Sequence, residues 1–109
     1  MKDPQNLNSD TYVVGIDNTS KKADLKDSYP EGTGLILSND SDQAVFAYTS
    51  ASASDTAVFP TSATVPKTGQ VILPGGILTF SFNPSERYLY VIQATSGTGD
   101  LYISASEGI

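Results

Sequence analysis

The side chains of this chain that could do chemistry form a short list. Among 109 residues there is no Cys and no His. A zinc site built from those ligands, a Ser-His-Asp triad and a cysteine nucleophile are therefore excluded. What survives is carboxylate, lysine, serine and tyrosine chemistry. A glycosidase would need two carboxylates facing each other across a cleft, one of them with its pKa raised by burial. The candidates are Asp40, Asp42, Glu86 and Asp100. Each falls in a predicted turn, where an acidic side chain bonds its own backbone and faces water. The expectation is that they shape turns and that the protein is not an enzyme.

Asn39-Asp40-Ser41-Asp42 also has the alternating oxygens of a calcium loop. An EF-hand needs Gly at its sixth position and Glu at its twelfth. Counted from Asp40, those positions hold Val45 and Ala51. Gly32-Thr33-Gly34 and Gly97-Thr98-Gly99 lack the third glycine and the following helix of a phosphate loop, and read as turns. No metal and no cofactor are expected.

Aromatic residues offer binding rather than catalysis. Tyr88 and Tyr90 are two apart on one predicted strand, which sets their rings ~6–7 Å from each other. Tyr102 would join them across a predicted hairpin. Flat rings with a polar tip stack on sugars or fill protein interfaces, so a glycan is one candidate ligand. The competing role for the three rings is half of an ordinary sandwich core.

Charge narrows the partners. Six Lys and Arg stand against twelve Asp and Glu, a formal charge of -6. Lys21, Lys22 and Lys26 are interleaved with Asp17, Asp24 and Asp27, so no basic patch is available to neutralise phosphates. Nucleic acid and anionic membranes are not expected partners. No apolar run approaches a membrane span, and no secretory leader is expected from the polar start.

The elements that must position these residues read as strands. Leu78, Phe80 and Phe82 alternate with Thr79 and Ser81, the period of a half-buried strand. Val45 and Ala47 face one way, Phe46 and Tyr48 the other. Leu89 and Val91 share a face opposite Tyr88, Tyr90 and Ile92, and Leu101, Ile103 and Ala105 share one in the last run. Residues 88–94 and 101–106, joined by a short Gly-containing loop, predict a hairpin. With Pro74-Gly75-Gly76 and Asn83-Pro84 marking further turns, the pattern predicts an all-β fold. It is an antiparallel sandwich or jelly-roll-like barrel of about seven or eight strands.

More than half of the charged side chains lie in residues 1–31. This segment reads as a polar N-terminal arm carrying one short strand at 12–16, ahead of a sandwich domain at 32–109. Tyr12, Val13, Val14 and Ile16 make that strand apolar. A strand this short is not stable alone in water, so it must pair with a sheet edge of its own domain or of a neighbouring copy. Those four residues, with Tyr88, Tyr90 and Tyr102, are the candidate partner-binding set.

From Gly34 onward the chain resembles the small β-sandwich proteins of tailed-bacteriophage virions: head decoration (cement), neck, tail or fibre components. The residues that carry the resemblance are Leu35-Ile36-Leu37-Ser38-Asn39-Asp40-Ser41-Asp42-Gln43, Val71-Ile72-Leu73-Pro74-Gly75-Gly76, Tyr88-Leu89-Tyr90-Val91-Ile92 and Ser96-Gly97-Thr98-Gly99-Asp100-Leu101-Tyr102-Ile103. The resemblance implies a non-enzymatic part of the virion, made in the cytoplasm of a bacterial host. It implies a homo-oligomer, expected as a trimer, gripping a neighbour or the major capsid protein. Capsid decoration is the leading expectation; a neck, tail or fibre component and a carbohydrate-binding module are the alternatives.

Overall fold

A computed structural model of the chain describes residues 11–25, 29, 31–61, 68–94 and 99–106. Residues 1–10, Lys26, Asp27, the extended piece Thr64-Val65-Pro66 and Gly97-Thr98 of the last turn lie outside the described residues. Among the described residues eight strands run in chain order: β1 (Thr11–Ile16), β2 (Lys21–Asp24), β3 (Gly34–Asp40), β4 (Val45–Ser50), β5 (Gln70–Ile72), β6 (Ile77–Ser81), β7 (Tyr88–Gln93) and β8 (Gly99–Ser106). Among the described residues one 3-10 turn, Pro84–Glu86, precedes β7; the Asn83 side chain caps it by accepting from the Ser85 backbone N–H at 3.1 Å.

The strands form two four-stranded antiparallel sheets. The first has the order β1-β8-β3-β6 and the second β2-β7-β4-β5. Among the described strands only β4 and β5 follow one another within a sheet, so the chain otherwise passes from sheet to sheet. This is the jelly-roll order, two Greek keys folded face to face. The fold is thus an all-β sandwich, and the alternations along the chain place the core. Val45 and Ala47, Leu89 and Val91, and Leu101, Ile103 and Ala105 are all buried between the sheets. Burying one such aliphatic side chain contributes about 1.5–3 kcal/mol.

Two expectations change. The predicted hairpin of the last two runs does not exist. β7 lies between β2 and β4 in the second sheet, and β8 lies between β1 and β3 in the first. Both strands have an apolar face and two bonded edges, and both cover the core, but from opposite sides.

The boundary at residue 31 also moves. β1 pairs with β8 of its own chain from Thr11↔Ser104 to Ile16↔Gly99, and β2 pairs with β7. Ile16, Leu25 and Tyr29 belong to the core. The ring of Tyr29 meets Tyr12 and Phe82 edge-on, each with centroids 6.4 Å away. Residues 11–25 are therefore outer strands of the sandwich. The charged strand Lys21-Lys22-Ala23-Asp24 carries no apolar alternation, because an outermost strand with lysines needs to bury little.

Candidate interaction surface

The outer face of the first sheet is defined by register. Val13 stands opposite Tyr102, Tyr102 opposite Ser38, and Ser38 opposite Ile77, so one row crosses all four strands. Val13 is 54% exposed and Ile77 67%. The next row is Thr11, Ser104, Ile36 and Thr79. Gly34 and Ser81 follow on one side, and Gly15, Asp100 and Asp40 close the other end. Apart from the two aspartates, the described residues of this face carry no charge. The result is a flat Ser/Thr surface with an apolar stripe.

The outer face of the second sheet is covered by its own chain. Tyr90 is 1% exposed although its strand position points outward. Its hydroxyl donates to the Ser52 carbonyl in a short hydrogen bond and accepts from the Asp55 N–H at 3.1 Å. Tyr48 stacks on it with centroids 5.3 Å apart, and Phe59 meets Phe46 edge-on at 6.3 Å. Lys22 Nζ donates to the Ala53 carbonyl at 2.9 Å, and the Ala57 N–H donates to Ser20 Oγ at 2.7 Å. These contacts pin residues 51–59 over the sheet. Burial raises the pKa of the Tyr48 hydroxyl above the ordinary tyrosine value, with Asp55 and Tyr90 adding to it.

Beside this cover, Tyr88 is half-buried, with the Arg87 guanidinium 4.9 Å and Lys22 Nζ 5.3 Å from its ring centre. Arg87 also grips Asp24 with both ends of its fork, at 3.1 and 2.7 Å. Both cations have been claimed by the fold, which makes Tyr88 a strut of the β2–β7 edge.

The candidate binding set therefore divides. Val13 and Tyr102 are cross-strand neighbours on the open face of the first sheet. Tyr12 and Val14 point inward and pack on the core, and Ile16 is buried in it, so these three are structural. Tyr90 is sealed under residues 51–59. Tyr102 lies on the opposite sheet from Tyr88 and Tyr90, so the three rings do not form one sugar-stacking platform. The physical reason is the absence of the β7–β8 hairpin.

Among the acidic candidates, Asp40 and Asp100 face each other on the flat surface, and Glu86 lines a cleft. Among the described residues no group of three or more acidic side chains is placed to hold a metal ion. Asn39, the start of the expected calcium-like loop, is 2% exposed. Its Nδ2 donates to the carbonyls of Gln43 at 2.8 Å and Ile72 at 2.9 Å, and its Oδ1 accepts from Ser41 Oγ at 2.6 Å. It locks two turns together. Ile36 and Ile77 were missed as surface residues, although the alternation of Leu35 and Leu37 already places Ile36 on the outer side.

Fold and surface together define a class: a jelly-roll sandwich with one self-covered face and one face whose described residues carry an apolar stripe and, at one end, two aspartates. Compared with protein-family models, curated proteins and solved structures, the chain matches none of them.

Proposed function

We propose that this protein is a non-enzymatic structural part of a tailed-bacteriophage virion, and specifically a decoration protein that seats the open face of its first sheet on the capsid. The observation that supports the reading is the Val13–Tyr102–Ser38–Ile77 row, with Val13 and Ile77 exposed at its ends, on a sheet face whose described charges are confined to Asp40 and Asp100 at one end. Exposed apolar side chains grouped on one sheet face mark interaction sites on folded domains. Asp40 and Asp100 sit together at one end of this face, and the rest of its described residues can pack against a lattice without leaving buried charges unpaired. The sequence resemblance from Gly34 onward points the same way.

Four strands and five residues make a face of ~19 by ~17 Å. That is well short of the ~800 Å² per partner that stable interfaces use, so firm seating needs several faces acting together. The test is to mix the purified protein with undecorated capsids and follow co-sedimentation. Saturable binding that is lost on Ile77→Asp is the expected result. Absence of saturable binding by the wild-type protein would sink the decoration role.

A further inference from the structure

We infer that two copies of this chain pair β6 against β6, antiparallel, across a two-fold axis at Thr79, and so join their first sheets into one. The pairing rests on the assembly reading for its purpose, and on the free backbone edge of β6 for its geometry.

Four of the described strands end the two sheets: β1 and β6 in the first, β2 and β5 in the second. Proteins blunt such edges with lysine, charge, proline or a very short strand. β2 carries Lys21, Lys22 and Asp24, and β5 is three residues long. β6, Ile77-Leu78-Thr79-Phe80-Ser81, has none of these devices.

Only half of its backbone groups are used. Just past one end of the strand the Phe82 N–H donates to the Thr33 carbonyl at 2.8 Å, and just before the other the Asn39 N–H donates to the Gly76 carbonyl at 3.0 Å. Backbone groups alternate sides along a strand, so those of Leu78 and Phe80 also turn to β3. The N–H and C=O groups of Ile77, Thr79 and Ser81 turn the other way. Among the described residues no hydrogen bond reaches them on that side. A row of alternating donors and acceptors at this spacing is matched by another extended strand.

The strand matches itself. Ile77, Thr79 and Ser81 are exposed, while Leu78 and Phe80 pack on the core yet stay only partly buried. This alternation is the same read in either direction. Reversed about Thr79, β6 sets Ile77 against Ser81 and Thr79 against Thr79 as hydrogen-bonded pairs, which satisfies all three free N–H and all three free C=O groups of each copy. The same register sets Leu78 against Phe80 of the second copy, twice. These aliphatic–aromatic pairs cover inner apolar surface that one copy leaves partly exposed. The chain carries a charge of -6, which sets copies against each other, but β6 brings no charge to the joint.

The axis runs perpendicular to the sheet, so both outer faces lie on the same side and form one continuous surface. Two faces of ~19 by ~17 Å give ~650 Å², most of the ~800 Å² per partner that one copy alone falls short of. The contact is reciprocal and closes at two copies. The joint itself spans only ~17 Å of strand, so the dimer is weak and depends on concentration.

Sedimentation and light scattering of the intact chain between ~10 µM and ~1 mM test the pairing, with a dissociation constant of about 0.1 mM expected. The mass should climb from 11.5 kDa toward twice that value. Over the same range the amides of Ile77, Thr79 and Ser81 should gain hydrogen-exchange protection, while those of Leu78 and Phe80 hold theirs throughout. Thr79→Lys and Thr79→Glu each set like charges directly opposite, and each should weaken the dimer about fivefold with unchanged unfolding. Their one-to-one mixture sets opposite charges together and should dimerise at least as tightly as the wild type, because the axis places residue 79 opposite itself. A wild-type monomer at ~1 mM, a trimer, amide protection independent of concentration, or a mixture no tighter than its two components would each overturn the pairing. Failure here is separable from failure of the decoration role. A monomer that still saturates capsids removes only the dimer, and a dimer that ignores capsids removes only the docking.

Discussion

The ring of Tyr48 lies nearly flat on the ring of Tyr90, with centroids 5.3 Å apart and planes at 19°. The pair sits on the outer face of the second sheet, where Tyr48↔Tyr90 are register partners of β4 and β7. The stack places the Tyr90 hydroxyl where it can hold the main chain of residues 52 and 55. An outward-pointing residue has become part of a second, smaller core.

Tyr90→Phe tests that role. The substitution keeps the ring and removes the hydroxyl, leaving the Ser52 carbonyl and the Asp55 N–H without this partner. A loss of about 1–3 kcal/mol is expected, the cost of unmade hydrogen bonds in a partly buried place. A lower urea midpoint with unchanged slope would register it. Faster exchange of the Asp55 amide should accompany the change, and an unaltered midpoint would contradict it.

Alkaline pH should act through Tyr48. Burial, then Asp55 and Tyr90, hold its hydroxyl above the ordinary tyrosine value, so the folded state favours the neutral form. The unfolded chain releases this proton near pH 10. Above that value the folded state binds more protons than the unfolded one, and stability falls as pH rises through the folded pKa. The contribution is complete below pH ~10 and absent once both states are ionised. Denaturation midpoints across this range should decline less steeply in Tyr48→Phe than in the wild type. Identical slopes would show that Tyr48 is not responsible.

Asp40 and Asp100 stand directly opposite each other on β3 and β8. Like charges in this arrangement destabilise a sheet, and Asp100→Asn should stabilise the protein by about 0.2–1 kcal/mol at low salt. The gain should shrink as added salt screens the pair. A variant less stable than the wild type at low salt would show that Asp100 has a stabilising partner.

Asn39→Leu should cost about 2–5 kcal/mol. It strands the carbonyls of Gln43 and Ile72 in a largely buried place and removes the acceptor for Ser41. Because the same residue holds the Leu73 turn, the amides of Gly75 and Gly76 should lose hydrogen-exchange protection together. A thermal melt and exchange rates on one sample check both.

Several features of this molecule are local, and its sequence by itself determined them. Which side of each strand faces inward follows from alternation: Val45 and Ala47 against Phe46 and Tyr48, and Leu89 and Val91 against Tyr88 and Ile92. Period two is a property of an extended chain with one wet and one dry side, and it needs no knowledge of the partner strand. The all-β class followed from it. The partners themselves were decided only by the tertiary structure. β1 bonds to β8 from the other end of the chain, and β7 and β8 part company across the core. The charged strand β2 has no apolar signature at all. Pairing depends on hydrogen bonds and packing between residues far apart in sequence, which local pattern does not encode. The same applies to the candidate surface. Val13 and Tyr102 became neighbours, Tyr90 was covered and Ile16 was buried because of where distant strands and residues 51–59 came to lie.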